Sequence, residues 1–292
     1  MSDAGSPGTP RAVSSAISTG FVSEPAPARD LVIAATVLVA LSRFVDGPAA
    51  WVIGVVALIA VALGTVEVLA AADARVTAAG GVPVEHLILP GATILAGVGV
   101  IRLVPVGLLF LPALAGIAWL LARVLATEAR VLGAPGGATA DDRSALVVEA
   151  LVIAFLGFTG VAALVPGGLA EPGAGGAALA GPDLALLALA DGAIAFLLGY
   201  RAAALRTTRL RDVVLSGLTS GAAITIGATA LRAMAIPRFA GPALLALVYF
   251  LWDAIHEAPA GRRRDARRLW EIALLVVLGI VVIVWSLQLR AA

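Results

Sequence analysis

Four apolar runs in this chain open with a proline, at Pro48, Pro105, Pro182 and Pro242, and most of the same runs lead into arginine-rich segments. Proline suits the first turn of a helix, where its missing N–H would have had no partner. Three of the four are Gly-Pro pairs: Gly47-Pro48, Gly181-Pro182 and Gly241-Pro242. The runs are about 17–25 residues long, which is the length of a helix that crosses a hydrocarbon layer. Prolines at one side and arginines at the other therefore predict an up-and-down set of membrane helices.

The expected spans are 30–45, 49–71, 86–102, 105–126, 144–165, 183–200, 213–235, 242–257 and 269–289, about nine in all. The fold class is thus all-α, a polytopic integral membrane bundle in the cell membrane. The span 86–102 is short and carries Pro90-Gly91, so a re-entrant hairpin over 86–126 is the alternative, leaving about seven spans. With 61% hydrophobic and 13% charged residues, against about 25% charged in soluble domains, the chain needs an apolar solvent. No connecting segment reaches the roughly 50 residues of a separate domain. Residues 29–292 read as one transmembrane domain. Residues 1–28, rich in Ser, Pro, Gly and Ala, read as a disordered cytoplasmic tail rather than a signal peptide.

Arginine placement sets the expected orientation. Arg201, Arg206, Arg209 and Arg211 follow the sixth span, and Arg262, Arg263, Arg264, Arg267 and Arg268 follow the eighth. Both loops read as cytoplasmic, while 166–182 has no basic residue and reads as external. The N-terminus is then inside and the C-terminus outside. Trp51 and Trp285 fall at the outer interface, and Trp252 and Trp270 at the inner one. Spans six–seven and eight–nine share an order of Gly-Pro, apolar run, aspartate and arginine loop, which is compatible with a duplicated hairpin.

All 20 basic residues are arginine and there is no cysteine. A lysine Schiff base, a P-loop, disulfides and thiolate clusters are therefore excluded. No cofactor is expected, and nucleic acid is not a partner because the arginines sit at helix ends. Expected partners are membrane lipids, a small-molecule or lipid ligand, and a protein partner or second copy of the chain.

Ionisable groups inside apolar runs are costly and usually face the bundle. Asp191, central in its span, is the foremost candidate for a ligand or ion path. Arg232, Glu67 and Glu149 are further candidates for that path; Arg232 ends a helix with Ser216, Ser220 and Thr225, where Gly217 and Gly221 form a G-x-x-x-G that suits close helix packing, the alternative being that the hydroxyls line the path. Glu67 and Glu149, with Asp191 and Asp253, are expected in the inner half, and Arg43, Arg102 and Arg232 toward the outer ends. Arg43 and Arg102 are read as anion holders or as snorkelling side chains. His86, Asp253 and His256 make a weak metal set, without metalloenzyme spacing. Three functions follow from these groups. The first is binding or transport of a small or lipid-like ligand within the bundle. The second is a non-catalytic membrane subunit or scaffold, and the third an embedded enzyme acting on a lipid.

Overall fold

The structure, a computed structural model, describes residues 26–72, 81–134, 138–169, 181–233 and 240–257. Within them the chain forms eight helices and no strand. They are α1 (Ala26–Ser42), α2 (Pro48–Ala72), α3 (Glu85–Ile101), α4 (Phe110–Gly133), α5 (Ala140–Leu164), α6 (Gly181–Ala204), α7 (Leu210–Ala233) and α8 (Ala240–Glu257). Five of these, α2, α4, α5, α6 and α7, are long and apolar enough to cross a membrane. Large apolar side chains point outward along them, among them Val52, Val55 and Ile59 on α2 and Leu215, Leu218 and Ile226 on α7. Soluble monomers rarely expose apolar patches larger than a few hundred Å². This outer surface is that of a membrane protein.

The helices run alternately between a proline end and an opposite end. Pro48, Pro182 and Pro242 all lie in the first turns of their helices, α2, α6 and α8. Pro105 does not. It lies in the loop before α4, and Pro112 occupies the first turn instead, so the expected start at 105 moves to Phe110. Both positions satisfy the same rule, because the first few N–H groups of any helix lack intrahelical partners. Arg43 and Arg102 hold this region in place. The Arg102 guanidinium donates to the carbonyls of Ser42 (2.8 Å) and Val45 (2.7 Å) and to Asp46 (2.8 Å), and Arg43 Nε donates to Val104 O (3.2 Å). Arg102 thus serves two carbonyls and the Asp46 carboxylate, and Arg43 the carbonyl of Val104.

The short span is continuous. Pro90 sits inside α3 without ending it. The start of α3 meets the ends of α4 and α6 through His86, and its own end meets the end of α1 through Arg102, so it crosses the bundle. Most of α3 is buried and none of it is exposed, because both cores meet on it. One core joins α1–α4 around Val39, Val61, Ile94 and Leu121. The other joins α3–α8 around Ile153, Phe158, Leu198 and Ile224.

Small residues make the closest approaches. A methyl group at Gly99 of α3 would overlap the backbone of Gly160 on α5. Gly192 and Gly199 of α6 face Gly221, Thr225 and Ser220 of α7 in the most extensive helix pair of the fold. Hydroxyls inside the helices turn back to carbonyls of the preceding turn: Thr93 to Leu89 (2.8 Å), Thr159 to Phe155 (2.7 Å) and Thr225 to Gly221 (2.9 Å). At α5 a capping box between Thr139 and Asp142 starts the helix four residues earlier than the expected 144. The first helix likewise starts at Ala26, so 26–28 are helical rather than part of a tail; residues 1–25, the span 269–289, Trp270, Trp285 and the arginines of 262–268 lie outside the described residues.

Gly99→Ala should lower stability by about 1–3 kcal/mol, since backbone opposite it cannot move aside as a side chain would. Gly116→Ala, with open space at the same kind of helical position, should be neutral or slightly stabilising. Thermal unfolding of the two variants in detergent checks the contrast.

Candidate functional site

Buried charges concentrate where α3, α4, α5 and α6 meet, at the end opposite the prolines. Glu128 on α4 is fully buried and receives a two-pronged contact from Arg201 on α6: Nε to Oε1 at 2.9 Å and Nη2 to Oε2 at 2.5 Å. His86 on α3 completes the group, with Nδ1 at 2.7 Å from Glu128 Oε2. An ionised carboxylate only accepts, so Nδ1 carries the proton and donates it. A planar guanidinium matches a carboxylate on both oxygens, which fixes orientation as well as distance.

Beside this triad, Glu149 on α5 accepts from Arg123 Nε (3.1 Å) and Thr127 Oγ1 (2.9 Å) of α4. Its other oxygen, Oε2, is buried without a partner among the described residues. Arg130 then links Thr127 (3.2 Å) to Asp142 (3.1 Å). Each of the three carboxylates, Glu128, Glu149 and Asp142, thus has one arginine of its own: Arg201, Arg123 and Arg130.

A cleft of about 430 Å³ opens above the triad, between α5, α6 and α8. That volume falls in the range of roughly 300–1,000 Å³ found for small-molecule sites. Its walls are apolar, with Leu89, Leu146, Leu151, Leu198 and Phe250, and its polar lining is Arg143, Arg201, Arg206, Asp253 and Tyr249. Arg206 donates to Asp253 at 2.7 Å. Arg143 is exposed, and its guanidinium has no partner among the described residues.

A second, far smaller cavity of about 20 Å³ lies toward the proline end, between α5, α6, α7 and α8. This is room for about one water molecule. Asp191 and Arg232 both line it, with Phe158, Leu187, Leu245 and Pro242. Asp191 is 1% exposed, and its Oδ1 has no hydrogen-bond partner among the described residues. The guanidinium of Arg232 interacts with it electrostatically while donating to the carbonyl of Gly168, beyond the end of α5. Asp191 therefore belongs to the proline half of the bundle, not to the inner acidic group expected for it. Its partner across the cavity pulls the assignment there.

The other expected site residues separate. Ser220 is buried against Gly199, and Thr225, half-buried like Ser216, lies against Gly192; they belong to the α6–α7 seam, and neither cavity is lined by them. Glu67 lies on an exposed face of α2, away from both cavities. His86 is held in the triad, Asp253 by Arg206, and His256 by the carbonyl of Trp252 (2.8 Å). Among the described residues, no group of three His, Asp or Glu side chains is placed to hold a metal ion. Glu128, Arg201 and Arg143 are site residues that the sequence reading did not single out. Their signal was a charge one helical turn or less from each expected span end.

The chain matches no family model, and no curated protein or solved structure matches it.

Two stability measurements separate the roles of these charges. Glu128→Gln should cost about 3–5 kcal/mol, because it strands a buried guanidinium, and the double variant Glu128→Leu, Arg201→Met should be less damaged than either Glu128→Gln or Arg201→Met alone. Asp191→Asn should leave the melting temperature unchanged or raised, since it removes a buried charge that lacks a hydrogen-bonded partner. A fall equivalent to more than about 2 kcal/mol would make Asp191 a structural counter-ion to Arg232 instead.

Proposed function

We propose that this is a multi-pass cell-membrane protein that binds or transports a small or lipid-like ligand within the bundle, between α5, α6 and α8, with α7 closing the proline end. The observation that carries this reading is the alignment of the two cavities. The 430 Å³ cleft and the Asp191–Arg232 cavity are walled by the same three helices. By helix position, the buried residues Ile153, Ala154, Ala195 and Ala246 fall between the residues that line the two, forming an apolar seal. A ligand-sized opening at one end and a buried charged group beyond a thin seal is the arrangement of a path closed at one side. Nine spans, with the cleft end cytoplasmic, the N-terminus inside and the C-terminus outside, complete the proposal. The arginines at the cleft end, Arg130, Arg143, Arg201 and Arg206, support that orientation.

One observation favours a second reading, a non-catalytic membrane subunit. Several of the intramembrane polar groups are committed to helix–helix contacts, with Glu128, Arg201, Ser220 and Thr225 among them. That reading leaves the cleft without a role.

The natural absence of cysteine makes the test direct. Ala202 lines the cleft and Ala228 lines the smaller cavity. In vesicles of known sidedness, a charged, membrane-impermeant maleimide should label Ala202→Cys from the cytoplasmic side only. Ala228→Cys should label from the opposite side or not at all. Labelling of both from one side would mean an open pore. No labelling of Ala202→Cys from either side would remove the cleft as a ligand site, and labelling from the outside alone would invert the topology.

A further inference from the structure

Three guanidinium groups and one carboxylate line the cleft. Arg201 is neutralised from beneath by Glu128, and Arg206 shares its charge with Asp253. Arg143 has no counter-ion among the described residues, so the opening carries an uncompensated positive charge at its rim. The walls below are hydrocarbon. A ligand that fits both must be anionic at one end and apolar at the other.

The surface of α5 says where the apolar part would go. Val147 and Leu151 line the cleft. The adjoining stripe of the same helix, Val148, Val152 and Phe155, is exposed by 57%, 40% and 37%. Residues at these spacings share one face, and that face runs from the cleft toward the middle of the span. The cleft wall thus continues without a polar break onto a face that meets the membrane interior. A water-soluble anion would have no use for such a continuation.

From this we infer that the cleft is a headgroup site for an anionic membrane phospholipid, its phosphate held between Arg143 and Arg206 and its acyl chain laid along Val148, Val152 and Phe155. The inference rests on the reading of the cleft as a ligand site and names the class of ligand. Guanidinium matches phosphate oxygens in a two-pronged geometry, so both arginines contribute direction as well as charge. Phosphatidylcholine also carries a phosphate, but its choline cation would face Arg143 and Arg206 and oppose binding.

The test uses the full chain in detergent, with native mass spectrometry reading stoichiometric adducts. Three probes are compared: dioleoyl phosphatidic acid, dioleoyl phosphatidylcholine and glycerol phosphate. One phosphatidic acid should be retained in preference to the other two. The combined variant Arg143→Gln, Arg206→Gln, Asp253→Asn, which leaves no unpaired carboxylate, should weaken retention on the order of tenfold. Arg29→Gln, at an exposed arginine on α1, should leave it unchanged. Phe155→Ser should weaken phosphatidic acid binding and leave the melting temperature within about a degree or two.

Equal retention of phosphatidylcholine, or equal sensitivity to Arg29→Gln, would overturn the inference by showing general surface attraction. Retention of glycerol phosphate as strong as that of the lipid would overturn it too, while keeping the cleft as a ligand site. Loss of all three probes together with an unlabelled Ala202→Cys would bring down the reading of the cleft itself.

Discussion

The contact between Arg201 and Glu128 is the one on which the cleft depends. Two charges buried together are stable only when geometry is good and the remaining hydrogen-bonding capacity is met. Here the guanidinium reaches both carboxylate oxygens and His86 supplies a further donor. The three residues come from three helices, so the pair fixes α3, α4 and α6 relative to one another at one end of the bundle. Close backbone packing adds to this, with Gly99 against Gly160 near the proline end and the glycine seam of α6 and α7 running from mid-span toward the triad. Charge pairing and close backbone packing hold the other helix pairs, and the cleft opens between α5, α6 and α8.

That division explains which features could be read from the sequence. Helix number and direction among the described residues followed from apolar run length and from prolines at helix starts, since both rules act locally. The exceptions are local too. Pro105 and Pro112 satisfy the first-turn rule equally, and only the loop held by Arg102 and Arg43 decides between them. The triad was hidden by helix ends. Spans expected to stop at 126 and 200 put Glu128 and Arg201 into loops, where a charge needs no partner. The helices continue to Gly133 and Ala204, and both charges are buried. An error of a few residues at a helix end turned two core groups into surface ones.

Asp191 shows the opposite case. Its isolation within an apolar run was visible, and the residue is buried within the bundle. Its depth was not visible, because depth depends on which helix supplies the neighbour. Arg232 at the end of α7 and Pro242 at the start of α8 draw it to the proline half. The spacing of small residues on α7 read first as close packing and second as a lined path, and α6 and α7 do touch there, with Gly192 and Gly199 against Gly221, Ser220 and Thr225. Small polar residues serve both purposes with one pattern, and only the partner helix distinguishes them.

The two cavities differ in a way that bears on movement. By helix position, Ile153, Ala154, Ala195 and Ala246 fall between the residues that line the two, and three of these four side chains are a single methyl group. Separating α6 from α7 would break a glycine seam, and separating α4 from α5 would break the Glu149 and Asp142 pairs. Helix α8 is bound more lightly: apart from apolar packing, Arg206 to Asp253 is its ion pair with the rest of the described bundle. A displacement of α8 would therefore open the seal while leaving the triad and both glycine contacts intact. It would also release Arg206 toward whatever anion occupied the cleft. On the proposed reading, an anion in the cleft would compete with Asp253 for the Arg206 guanidinium, which would couple its binding to the loosening of α8.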